Sequence, residues 1–233
     1  MSAPSTPPPP PPPPSPTLDV LYADAHLVII NKPSGLLVHR GWGDDSDVAM
    51  TRVRDALGAR VNPVHRLDRG TSGALLFART PEATRAMGEL FRHGAVRKTY
   101  LALVRGTPPS EGVIDSPVPQ GDDGPRVPAE TRYRLLAVSP VERCALVEAN
   151  PQTGRLHQIR RHLKHINHPL IGDVHYGHGD LNRHYRAQYQ LHRLALHAET
   201  LSFVHPMTGV ALAVRAPMPP DLAGPLAALG FEV

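Results

Sequence analysis

The apolar residues of this 233-residue chain come in short runs, and their irregular alternation with helical patterns is what most narrows the fold. Residues 74–78 (Ala-Leu-Leu-Phe-Ala) read as a buried strand, and 100–104, 131–138 and 144–149 as further strands. Residues 18–30 predict two short strands meeting around 23–25, followed by a turn at 31–35. Segments 196–204 and 210–215 close the set, joined by a turn near 206–209. Between them fall helical patterns. One starts at Ser46 as cap and turns Val48, Val53 and Leu57 to one side. A second starts at Thr80 with Pro81 in its first turn and stops at Gly94. A third spans roughly 156–166, and a short one ends the chain. No regular strand–helix–strand repeat orders these pieces, which predicts an α+β fold with a mixed or antiparallel sheet.

No stretch approaches the ~18 uninterrupted apolar residues of a membrane-spanning helix. The N-terminus has neither a basic start nor an apolar run, against a secretory signal. One cysteine, Cys144, allows no internal disulfide and no cysteine cluster for zinc or iron–sulfur. A cytoplasmic protein without membrane attachment is expected. Residues 1–17 hold 10 of the 27 prolines, eight of them consecutive at 7–14, and no charged side chain. Residues 1–16 therefore read as a disordered, partly polyproline II tail, and the fold is assigned to 17–233.

The net charge is only +4, but its distribution is uneven. Residues 151–198 carry seven Lys/Arg against two acids, Asp173 and Asp180, and nine of the fourteen histidines. A basic face of this kind fits a phosphate-rich partner, or is simply a solvated surface. In the third helix Leu156, Ile159, Leu163 and Ile166 line one side. His157, Arg160, Arg161 and Lys164 then form an outward basic ridge.

Chemistry concentrates in His65-Arg66-Leu67-Asp68-Arg69-Gly70-Thr71-Ser72-Gly73, immediately before an apolar strand. An acid between Arg66 and Arg69 is expected to stay ionised, which suits a nucleophile or a fixed acceptor and not a general acid. A surface ion pair at a turn would look the same. A second segment, Thr153-Gly154-Arg155-Leu156-His157-Gln158-Ile159-Arg160, places a turn and early arginines at a helix start, where phosphate is attracted. On a helix Arg155 and Arg160 would diverge by ~140° and need not serve one ligand. Lys98-Thr99-Tyr100 opens a strand, where a tyrosine either packs or reacts. His162, His165 and His168 recur every three residues, with His175 and His178 beyond. Zinc helices instead pair histidines at i, i+4, and His168-Pro169 breaks the helix, so no metal site is expected.

These segments, in this order, resemble the RluA-type family of RNA pseudouridine synthases. The matching elements are Asn31-Lys32-Pro33-Ser34-Gly35-Leu36-Leu37-Val38, His65-Arg66-Leu67-Asp68 with Thr71-Ser72-Gly73, and Lys98-Thr99-Tyr100. The 153–160 segment and His168-Pro169-Leu170-Ile171-Gly172-Asp173 complete them, so the resemblance covers about 18–216. Within the family it is closest to the branch that modifies uridine 65 of tRNA, through His39-Arg40-Gly41-Trp42, Arg160-Arg161-His162-Leu163 and Gly179-Asp180-Leu181-Asn182-Arg183.

The resemblance implies a single catalytic domain with helices flanking a central RNA-binding cleft, and conversion of uridine to its C-glycoside without metal or other cofactor. It maps the nucleophile to Asp68, and the tyrosine that packs on the base and is a proton-transfer candidate to Tyr100. Arg160 becomes the arginine paired with the aspartate, and Arg66 the one that helps fill the flipped-out nucleotide's place. His65, Arg69, Thr71, Arg155, His157, Arg161 and Lys164 are further candidates for holding RNA. No accessory RNA-binding domain is read ahead of the catalytic part, which favours tRNA over ribosomal RNA as partner, and a monomer with no obligatory protein partner is expected. An aromatic content of 5% speaks against a stacking platform for single strands. A ribosomal-RNA enzyme of the same chemistry, a catalytically silent RNA-binding module and a metal-dependent nuclease are the rival readings.

Overall fold

Successive residues of a strand face opposite sides of the sheet, and burial here follows that rule on both faces. The computed structural model describes residues 18–40, 47–121 and 124–232. The proline-rich tail, Gly41, Trp42 and the Ser46 cap lie outside the described residues. Within them run β1 (Val20–Ala23), β2 (Leu27–Lys32), α1 (Ala49–Leu57), β3 (Asn62–Pro63), β4 (Ser72–Ala78), α2 (Pro81–Arg92) and β5 (Arg97–Arg105). The order continues with β6 (Glu111–Ile114), β7 (Val118–Pro119), β8 (Arg126–Val127), β9 (Thr131–Val138) and β10 (Cys144–Pro151). It ends with α3 (Gln158–His165), α4 (Gly179–Tyr189), β11 (Leu196–Val204), β12 (Ala211–Arg215) and α5 (Pro220–Ala228).

The main sheet is ordered β1-β2-β4-β11-β5-β10-β9-β6, with β3 added on β4 and β12 on β11. Its pairings are antiparallel except the short parallel contact of β4 with β11, where Ser72 and Gly73 sit beside His197 and Ala198. The fold is thus α+β with a mixed, mostly antiparallel sheet, as the irregular order predicts.

Val28 and Ile30 of β2, Leu75 and Phe77 of β4, and Tyr100, Ala102 and Val104 of β5 point to one face. They are covered there by Val53 of α1 and by Ile159 and Leu163 of α3. The alternate residues Leu27, Ile29, Leu76 and Ala78 meet Ala83 and Met87 of α2 on the other face. Farther along that face, Leu103 and Leu146 pack with Tyr185 of α4 and with Leu222 and Leu226 of α5. Each large apolar side chain fully removed from water contributes roughly 1.5–3 kcal/mol of transfer free energy.

Local signals behave as expected at α2, where Thr80 Oγ1 accepts from Ala83 N at 3.1 Å and Pro81 opens the helix. α3 corrects the expectation twice. It starts at Gln158 and not near Leu156, and Arg160 is turned inward at 6% exposure instead of standing on an outer ridge. α4, read from sequence only as a loop, carries the apolar line Leu181, Tyr185 and Tyr189, whose aromatic members are interspersed with charged residues.

Candidate active site

Asp68 sits on the loop that enters β4, and the neighbouring backbone fixes where that loop goes. Gly73 has φ +114°, and a Cβ there would lie 2.1 Å from the carbonyl oxygen of Ala198. Only glycine lets β4 approach β11 this closely. Just before it, Thr71 N donates to Asp68 O at 3.0 Å and closes a tight turn. Beneath the loop, the fully buried Lys32 ammonium donates to Leu36 O at 2.7 Å, Pro33 O at 2.9 Å and Arg69 O at 3.3 Å. Burial pulls its pKa down to about 7. Ser34 Oγ donates to Gly70 O and Arg69 Nε to Gly35 O, so residues 32–36 brace the segment carrying Asp68.

Across a cleft of about 680 Å³, α3 brings the opposing charge. Arg160 Nη1 donates to Asp68 Oδ2 at 3.0 Å. Its remaining edge is held by Asp173, with Nε to Oδ2 at 2.7 Å and Nη2 to Oδ1 at 2.8 Å. Burial opposes the charge on both partners, but their mutual hydrogen bonds win: Arg160 is raised above its ordinary pKa and Asp173 lowered below its own. Asp173 also accepts from His175 N and Tyr176 N, which leaves its carboxylate no freedom to release the guanidinium. Asp68 itself is 18% exposed at the cleft.

The cation paired with Asp68 is therefore the distant Arg160 and not its chain neighbours. Arg66 is exposed and lines the cleft, while Arg69 turns to Gly35. Tyr100 of β5 lines the same cleft at 8% exposure, its phenol pushed up by burial and, secondarily, by the Asp68 charge. Lys98 lies on the same wall, donates to Thr153 O at 3.1 Å and is lowered by burial to about 8.

His157 caps α3 in the left-handed region, φ 54°, a conformation that costs a non-glycine residue roughly 1 kcal/mol. This turn puts its Nε2 3.8 Å from Asp68 Oδ1 and its Nδ1 3.1 Å from the Tyr176 hydroxyl. Burial lowers its pKa, outweighing the raising effect of Asp68, so the ring stays neutral. Gln158, 4% exposed, knits the turn together. Its Oε1 accepts from Thr153 Oγ1 and Arg155 N, and its Nε2 donates to Glu130 O and Thr131 Oγ1. Because the helix starts late, Arg155 precedes it, and Arg155 and Arg160 both line the cleft.

Other expected residues are placed differently. His65 Nε2 accepts from Leu76 N at 3.0 Å and its ring stacks on Phe91; burial and then the Lys98 charge hold it neutral, near pKa 3. Thr71 lines the cleft at 2% exposure. Arg161 donates to Tyr176 Oη, Pro119 O and Gly121 O, and with Lys164 lines a neighbouring hollow. The histidine run disperses: His162 bonds Thr131 and Ser116, and His168 bonds Arg105 O. Asp173 and Gln158 show in the sequence only as members of the matching segments, and Tyr176 only as part of a loop, since nothing local marks their partners.

A buried arginine is thus fixed on one carboxylate and offered to a second, in a cleft that Tyr100 also lines. The family model described as RNA pseudouridylate synthase matches residues 26–165, and the chain belongs to that family of RNA-modifying isomerases. A protein of Pectobacterium carotovorum named tRNA pseudouridine synthase C is 43% identical over 91% of this chain, which spans 62% of that protein's length. One of the same name from Vibrio parahaemolyticus is 39% identical, covering 85% of this chain and 89% of its own. The solved structure of human RNA Pseudouridylate Synthase Domain Containing 4 superposes with a TM-score of 0.74 at 29% identity, over 92% of this chain and 94% of that one. No helix among the described residues is long and apolar enough to cross a membrane.

Proposed function

We propose that this chain converts uridine to pseudouridine in tRNA, at position 65, with Asp68 as the nucleophile, acting in the cytoplasm as a monomer and without metal or other cofactor. The observation that carries the reading is the ion pair of Asp68 with Arg160, whose guanidinium is itself fixed by Asp173. The reaction breaks the C1′–N1 bond and forms C1′–C5; the proton lost from C5 is matched by one gained at N1, so the formula is unchanged. It needs a carboxylate held in place at the reacting centre, and the 3.0 Å hydrogen bond from Arg160 Nη1 fixes Asp68 there.

Tyr100 packs on the base and takes part in proton transfer as a neutral phenol, since its raised pKa disfavours the phenolate. Extruding the base costs a few kcal/mol, recovered through cleft contacts. Arg66, exposed at the cleft edge, reaches toward the vacated place, and Arg155 engages phosphate. Tight contacts to the fold hold His65, Arg69 and Arg161, which shape the site more than they touch RNA. The tRNA substrate and the position rest on the names of the relatives and on the resemblance of the 39–42, 160–163 and 179–183 segments.

The test is carbodiimide and reverse-transcription mapping of pseudouridine on unmodified tRNA incubated with the purified protein. A new stop at position 65 is expected. A stop elsewhere in tRNA refutes the position, and product in ribosomal RNA alone refutes the substrate.

A further inference from the structure

On the far side of His157 lies a second hollow of about 700 Å³, between the outer face of α3 and the β7–β8 ribbon. Its cations come from both walls: Lys164 from α3 and Arg126 from β8, both exposed. His165 and His175, also exposed, add imidazole N–H groups. Among the described residues no carboxylate lines it.

Arg161 builds the floor and is not free to bind. Its three donor contacts reach Tyr176 Oη at 2.8 Å, Pro119 O at 2.9 Å and Gly121 O at 3.1 Å, so it ties the helix to the ribbon. Lys164 has no hydrogen bond or ion pair among the described residues; its ammonium lies 5.8 Å from the Tyr176 ring centroid. Arg126 donates to the backbone carbonyl of Pro117 and, among the described residues, has no ion pair.

His157 is common to both hollows. One ring nitrogen looks at Asp68 and the other at Tyr176, which lines the second hollow. The His157–Tyr176 pair thus stands between the uridine cleft and a basic trough beside it.

We infer that the trough is a phosphodiester-binding track for the RNA strand that continues from the target nucleotide, with Lys164 and Arg126 gripping successive phosphates from opposite walls and His165 and His175 hydrogen-bonding between them. This rests on the reading of the cleft as the uridine site. Cations on both walls of a trough, with no acidic partner among the described residues, fit a phosphate backbone.

The test measures binding of a fluorescein-labelled tRNA transcript against salt, using Asp68→Asn protein so that no turnover intervenes. Adding Lys164→Gln and Arg126→Gln together should lower the slope of log affinity against log salt by about two, about one for each phosphate left without its cation. Arg215→Gln, which removes an exposed cation of β12 outside both hollows, should leave the slope where it was. An unchanged slope in the double substitution overturns the track, and so does an equal fall with Arg215→Gln, which would reduce the effect to net charge. Because this readout is binding alone, its failure is distinguishable from a failure to form pseudouridine, which would sink the catalytic reading. Lys164, Arg126 and Arg215 are all exposed, and far-ultraviolet circular dichroism checks that each variant is folded.

Discussion

Arg160 stands between two carboxylates, donating through Nη1 to Asp68 and through Nε and Nη2 to Asp173. The division is unequal: Asp173 is fully buried and bidentate, while Asp68 receives one bond and faces the cleft. One anion fixes the guanidinium, and the other is free to meet a substrate.

Asp173→Asn should separate these tasks. It leaves a buried guanidinium with half its neutralising charge, and stability should fall by about 3 kcal/mol in denaturant melts. Loss of alignment should cost about 10- to 100-fold in turnover. Because the folded state lowers the pKa of Asp173, its stabilisation is complete above the unfolded value near pH 4 and fades as pH falls below it. The variant should therefore show a flatter acid limb than the parent in melts between pH 2 and 5.

Arg160→Lys keeps the charge but replaces a planar fork with a point donor that cannot span both carboxylates. Turnover should drop at least about 100-fold, while RNA affinity measured by anisotropy changes by less than about threefold. A variant as active as the parent would show that the fork geometry is immaterial.

Lys98 lines the cleft with a pKa brought down to about 8 by burial. It is charged below that value and neutral above it, so affinity for tRNA should weaken as pH rises from 7 to 9. In Lys98→Gln the charge is absent throughout, and the same titration should be flatter across that window.

Gly73→Ala tests how the loop carrying Asp68 is anchored. The new Cβ meets Ala198 O, and the φ of +114° is one that L side chains rarely adopt. The cost should exceed the ~1 kcal/mol at which unstrained glycine substitutions are valued, read as a lowered melting midpoint.

Much of this was legible in the sequence because it depends on local pattern. Thr80-Pro81 announces α2, the apolar run after Gly73 announces β4, and alternation in 131–138 and 196–204 gives β9 and β11 their bounds. Resemblance singled out Asp68, Tyr100 and Arg160, and the fold brings all three to one cleft. The partners were not legible. Arg66 and Arg69 flank Asp68 in the chain, yet the contacting cation lies 92 residues away. Arg160 reads as a surface arginine until Asp173, supplied by a turn after the helix, offsets the cost of burying it. β6, β7 and β8 are too short to show a period, and the apolar line of α4 is broken by charges.

The most direct measurement follows tritium release from [5-³H]uridine-labelled tRNA by the parent protein and by Asp68→Asn, beside anisotropy binding of the same RNA. The expected result is release by the parent, none above background for the variant, and RNA binding retained by both. Tritium release by Asp68→Asn at the parent's rate would contradict the assignment of this carboxylate as the nucleophile.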